Sequence, residues 1–308
     1  MATEKTSLPS QGDKVLVGVA RGDSVADSIH RAVELAGGLG FIKAGQTVLV
    51  KPNVNSADPY PGTTNPEVVY EVVKMVWERD PRRVIVADRS GYWGATIDFM
   101  KKVGIYDAAG EAKAEIIPFD DGPWVEVHPK EAKHWEHGFR IPRLIQEVDH
   151  IISLPVVKTH RIATFTMSLK NFVGIIHPDD RTGYLHRQDH YGPTFGRLIA
   201  EINLAAKPSF IVADGTRAFI SGGPARGEMV EPRIIIASTD RVATDVTGLA
   251  LLKVLGTIED IMGKSVWEQP QIQRAVELGL GVQKPEDISL QGYGVTELEE
   301  IQRHILAT

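Results

Sequence analysis

Three times in its first hundred residues the chain repeats one pattern. A short, almost purely apolar run passes through a polar or proline-rich loop into a stretch with helical spacing. The runs are residues 15–20 (VLVGVA), 46–50 (QTVLV) and 83–87 (RVIVA). Runs of this length are strands, and strands without polar alternation are buried on both faces. The intervening segments carry helix signals. Asp23 or Ser24 caps a helix through Ile29, Val33 and Ala36, and Gly37-Gly38 ends it. Asn65-Pro66-Glu67 opens a second, with proline in its first turn and Val69, Val72, Val73, Val76 and Trp77 at helical spacing. A third spans roughly 95–103. This repetition predicts an α/β fold, with a mostly parallel sheet and helices on both faces.

Later runs extend the pattern. Strands are expected at 115–118, 124–127, 150–154, 210–213 and 233–237, and helices at 141–148, 193–205, 242–254, 268–279 and 296–306. Residues 128–140, rich in His, Lys and Glu, read as a surface excursion. Residues 1–13 read as a disordered lead before one domain, 14–308. A border near 148–155 would divide that domain into two α/β subdomains, and a single interleaved unit fits equally well.

Composition narrows the function. With 308 residues and 43% hydrophobic content, the chain can bury a large core. A net charge of -6 argues against nucleic-acid or anionic-membrane partners, which need a basic face. There is no cysteine, which excludes disulfides, thiolate zinc sites, cysteine-ligated iron–sulfur clusters and a cysteine nucleophile. A divalent metal would need His, Asp or Glu ligands. No secretory h-region is visible, and no apolar run approaches the roughly 20 residues of a membrane helix. A soluble, cytoplasmic protein is expected, with homo-oligomerisation left open.

In such sheets ligands gather beyond the carboxyl ends of the strands. Loops starting at Lys51, at Asp88 and after Leu154 all leave from such ends. The stretch 154–190 is the richest in chemistry, with four of the ten histidines. Lys158 and His160 follow a strand and a proline. They suit an acid/base pair or an anion clamp; the plainer reading is a structural ion pair and a loop cap. Lys170 and Asn171 fall on a helix expected to begin near Thr164, where they would bind substrate oxygens. Lys51, Asn53, Asp88 and Arg181 complete the expected substrate contacts. His186 and His190 have the i, i+4 spacing of paired helical ligands, and with His177 they form the candidate metal set. Gly183 and Gly192 bracket them, so a solvated loop is the alternative. Asp214 and Arg217 read as a structural pair. The 222–227 glycine loop lacks both Walker and dinucleotide patterns, so no nucleotide is expected.

Several motifs, in one order, resemble the domain of unknown function 362 family. They are VKPN at 50–53, TTNPE at 63–67, VADRSG at 86–91, LPVVKTH at 154–160 and SLKNFVG at 168–174. The pair Arg181 and His186, ADG at 213–215, GGP at 222–224 and STDRVATD at 238–245 follow. Many members of that family carry a ferredoxin-like segment with cysteine-ligated clusters. This chain has no cysteine, so the resemblance transfers no such redox role. A more distant similarity of layout links it to nickel-pincer lactate racemases. The reading that follows is an enzyme moving a proton next to a carbonyl or carboxylate, an isomerase, epimerase or lyase. Lys158, His160 and His186 are the expected catalytic groups. Lys51, Lys158, Lys170 and Arg181 would hold a small anionic or polar substrate, with a divalent metal sharing the charge. A redox or cofactor-binding protein and a non-catalytic small-ligand binder are the alternatives.

Overall fold

The computed structural model describes residues 14–91 and 94–307, so the expected lead at 1–13 lies outside the described residues. β1 (Val15–Ala20) leads into α1 (Val25–Leu35), where the Ser24 side chain accepts the Asp27 amide. β2 (Thr47–Pro52), α2 (Pro66–Trp77) and β3 (Arg83–Val86) follow. Asn65 caps α2 and Pro66 opens it, as the Asn-Pro-Glu sequence predicts. Next come α3 (Thr96–Lys102), α4 (Ile105–Glu111) and the edge strand β4 (Glu115–Ile116). A small antiparallel pair, β5 (Trp124–Val127) and β6 (Phe139–Pro142), stands apart from the main sheet. The turn α5 (Leu144–Glu147) leads into β7 (His150–Leu154).

The second half begins with β8 (Val156–His160), β9 (Thr164–Thr166) and α6 (Ser168–Asn171). After α7 (Pro178–Asp180) and α8 (Pro193–Ile202) come β10 (Phe210–Phe219), β11 (Met229–Val230) and β12 (Ile234–Ser238). The chain closes with α9 (Arg241–Leu255), α10 (Glu259–Met262), α11 (Pro270–Glu277), β13 (Ile288–Tyr293) and α12 (Leu298–Leu306). None of the helices among the described residues is long and apolar enough to cross a membrane.

The sheet runs β13-β1-β12-β10-β7-β2-β3-β4. Only β12 opposes its neighbours; the other pairs along this path are parallel. Residues 148–155 contribute the strand between β10 and β2. Period-two alternation divides the strands between two cores. Val48, Val50, Ile152, Leu154 and Ile235 pack under α1, α2 and α4. Leu49, Ile85, Ile151, Ile234 and Ile236 pack under α8, α9, α11 and α12 on the other face.

Four local expectations change. The chain does not become a loop after Pro155. It re-enters the sheet as β8 beside β10, then folds back as β9 with Lys158 opposite Thr166. Thr164 therefore belongs to a strand, and the helix that bears Lys170 starts only at Ser168. β10 runs on past its apolar run to Phe219, and within it the buried Asp214 Oδ1 accepts from the Tyr60 hydroxyl and from the Thr216 amide and hydroxyl. Residues 128–140 are not simply surface: Trp135 is buried in the core and its indole N–H donates to Leu198 O at 3.0 Å.

Gly18, inside the VLVGVA strand, marks a close backbone approach. A β-carbon there would lie 2.1 Å from Ala32 O of α1. Gly18→Ala must push α1 off the sheet, and we expect about 1–3 kcal/mol of destabilisation by urea unfolding.

Candidate functional site

Beyond the ends of β2 and β3, the β8–β9 hairpin and α6 close on a polar cleft. Its walls include Asn53, Asn55, Asp88, Lys158, Lys170, Asn171 and Arg181. The empty space is about 350 Å³ counted out to the mouth. That suits one small polar group entering at a time.

Lys51 and Asp88 form the back wall. The Lys51 ammonium donates to Asp88 Oδ1 at 2.5 Å, to Pro52 O at 3.2 Å and to Asn171 Oδ1 at 3.4 Å. Asp88 Oδ2 accepts the Val54 amide at 2.6 Å. Asn171 Nδ2 donates to Ser153 Oγ and Lys51 O. Burial pulls Lys51 down and pushes Asp88 up, while the contact between them draws each back toward its charged form. All three Lys51 hydrogens are engaged, and Lys51 is not among the cleft residues. The expected substrate contact at Lys51 is corrected to support of Asp88 and Asn171.

Lys158 is fully buried, and its ammonium donates to three backbone carbonyls, Pro61 at 2.8 Å, Gly62 at 2.6 Å and Pro224 at 3.0 Å. Burial, and then the nearby Lys170 charge, push it down to about 7. Three carbonyl acceptors oppose that shift by favouring the ammonium. No lone pair is offered to the cleft, so the base role expected of Lys158 is corrected. It ties the 53–64 and 221–227 loops to β8.

Lys170 is different. It lines the cleft, and it has neither a hydrogen bond nor an ion pair through its side chain among the described residues. Burial, and next the Arg181 charge, lower it to about 7. Arg181 sits in a π-helical turn, a local irregularity that aims its side chain inward. It donates to Ser90 O and Asn55 Oδ1, both at 2.9 Å. Asp88 is matched by Lys51, and Asp120 faces the Arg89 guanidinium at 3.1 Å. Besides Arg89, three cations, Lys158, Lys170 and Arg181, line the cleft, while its carboxylate Asp88 is matched by Lys51.

The histidines do not assemble as expected. His160 Nδ1 accepts the amides of Ile162 and Ala163, the loop-capping role, and burial with the Lys170 and Lys158 charges holds it well below the usual range. His186 packs on Phe195, and burial with Arg181 and Lys170 pushes it to about 3. Neither lines the cleft. His177 caps α7 and meets the Trp124 ring edge-on, while His190 Nδ1 bonds Tyr184 O. His186 ends the π-helical turn, Arg187 is extended, and His190 lies in a separate 3-10 turn, so the i, i+4 face never forms. The three-histidine metal set is corrected: among the described residues no three His, Asp or Glu side chains converge as metal ligands. The Asp214–Arg217 pair is corrected too. Asp214 binds Tyr60 and Thr216, and Arg217 pairs with Glu231.

The sequence reading missed Asn55 and Gly174 in the cleft wall. Gly174 carried a signal, since SLKNFVG ends on a glycine that no turn explains. A β-carbon there would lie 2.2 Å from Asp88 Oδ1 and 2.8 Å from Lys51 Nζ.

The family model for a domain of unknown function, DUF362, matches residues 48–250, a span that contains every wall of this cleft. The chain belongs to the DUF362 family. A thylakoid-associated protein of Synechocystis sp. is 28% identical over 227 residues, 72% of this chain and 68% of that relative. Among solved structures, the lactate racemase apoprotein of Thermoanaerobacterium thermosaccharolyticum aligns with a TM-score of 0.44 and 17% identity, over 76% of this chain and 56% of the other. A Thermotoga maritima protein aligns at 0.39 and 15%, over 68% and 54%. This DUF362 chain spans a little over half the length of those two structures.

Two substitutions separate support from chemistry. Lys158→Met orphans three carbonyls, and we expect a loss of about 2 kcal/mol or more in chemical denaturation. Gly174→Ala forces Asp88 and Lys51 apart, and a lowered Tm together with loss of anion-induced thermal stabilisation is expected.

Proposed function

We propose that this protein is an enzyme that moves a proton next to a carbonyl or carboxylate of a small anionic or polar substrate, in the manner of an isomerase, epimerase or lyase. The observation that carries the reading is Lys170: a cleft lysine with no side-chain hydrogen bond or ion pair among the described residues, lowered to about 7, beside Arg181. An amine of that basicity is half neutral at physiological pH and accepts a proton without a large driving-force penalty. In this scheme Arg181 attracts the substrate anion, and the side-chain amides of Asn53 and Asn55 offer donors to its other oxygens. Positive charge also stabilises the enolate-like state that forms when the proton leaves. Among the described residues no three His, Asp or Glu side chains converge on the cleft as ligands for a divalent ion. A cytoplasmic location belongs to the same proposal.

The test is solvent deuterium exchange. In heavy water, a panel of small hydroxy and oxo acids is followed by NMR for label at the carbon beside the carboxylate or carbonyl. Label with the wild type and none with Lys170→Met is the expected result; equal label in both overturns the assignment. Lys170→Arg should be equally inactive, because a guanidinium does not deprotonate. A base acts in its neutral form, so kcat/KM should rise with pH through about 7 and level off above it. Arg181→Met should raise KM tenfold or more with a smaller effect on kcat, about 1.4 kcal/mol of binding.

A further inference from the structure

α6 has only four residues, yet it bears both Lys170 and Asn171. So short a helix has no stability of its own. Its shape is held from outside, by a polar cradle that does not line the cleft. Asp245 of α9 is fully buried, and both of its carboxylate oxygens face α6. Oδ1 accepts the Ser168 amide at 2.7 Å and Oδ2 accepts the Leu169 amide at 3.0 Å. From the other side, Asn203 Nδ2 donates to Leu169 O at 2.9 Å. Asn203 is fixed in turn by Arg241, which donates to its Oδ1 at 3.0 Å, to its backbone carbonyl at 2.9 Å and to Ala206 O at 3.0 Å. The Arg241 guanidinium also lies over the Phe172 ring, 5.6 Å from its centre, directly after α6.

An all-apolar contact between α9 and α6 would avoid burying these charges. Burial pushes Asp245 up to about 7 and draws Arg241 down to about 10, so the arrangement has a desolvation cost. Apolar contacts, however, do not fix a one-turn helix in rotation, whereas two amides bound by one carboxylate do. We propose that Asp245, Asn203 and Arg241 are positioning residues, which hold α6 so that Lys170 stays dehydrated in the cleft beside Arg181. This rests on the proton-transfer reading of Lys170.

The experiment measures Lys170 directly, without substrate. The full-length protein is labelled with an amine-directed acylating reagent across a pH series. Modification of Lys170 is quantified by peptide mass spectrometry, with exposed Lys130 as internal reference. The groups that face Lys170, namely Arg181, Lys158, His160 and His186, are unchanged in every variant. The wild-type midpoint is expected near 7. Asp245→Asn keeps one acceptor but turns an amide N–H against a backbone N–H. Asn203→Ala removes the grip on Leu169 O and leaves Arg241 on Ala206 O. In both, the Lys170 midpoint should rise by about one pH unit or more as water enters, within a single cooperative unfolding transition. Folded variants that label with the wild-type pH dependence overturn the role. So does loss of cooperative folding in Asn203→Ala, because the cradle then supports the whole core rather than α6. A wild-type midpoint at the ordinary lysine value overturns the base assignment itself, and the positioning role with it.

Discussion

The contact between Lys51 and Asp88 is the interaction around which the site is arranged. Lys51 lies at the carboxyl end of β2 and Asp88 just beyond that of the neighbouring β3, and each is buried. A lone charge there would be untenable, so the two strand ends are tied together by the need to neutralise one another. Asn171 joins them through its side-chain oxygen and amide. Gly174 follows because nothing larger than hydrogen fits beside the pair. The back wall of the cleft is thus settled by charge burial, and α6 is docked on it.

Three lysines share this region, and their surroundings give them different chemistry. Lys51 is matched by a carboxylate and Lys158 by three carbonyls. Lys170 has no such match among the described residues. Burial weakens the basicity of all three, but only in Lys170 is the weakening uncompensated by a contact. That difference, rather than the number of cations, gives the cleft both an anion-attracting character and a reactive amine.

Much of the architecture was legible in the chain. Continuous apolar runs made buried strands, and the Asn-Pro-Glu and Asp-Ser signals marked helix starts that the structure shows. β13 was missed because its sequence, ISLQGY, alternates as a half-exposed edge strand does and lacks a continuous apolar run. The β8–β9 hairpin was missed because Pro155 and the charged residues after it imitate a loop, although every residue of β8 is buried. Among the cleft residues, Asn53, Asp88, Lys158, Lys170, Asn171 and Arg181 were singled out in advance. The histidines misled, since i, i+4 spacing carries meaning only on a helix, and the chain leaves helical geometry between His186 and His190.

The sequence by itself determined the α/β class, the two-faced burial of the strands and the segments from which a site would be drawn. These follow from local patterning, which a linear chain displays directly. Only the tertiary structure decided which ionisable groups are engaged. Whether a lysine meets a carboxylate, three carbonyls or an open cleft depends on loops far apart in sequence, such as 53–64 and 221–227 around Lys158. Electrostatic character is set by distances and burial in three dimensions, so Lys51, Lys158 and Lys170, alike in sequence, become a support, a tie and a candidate base.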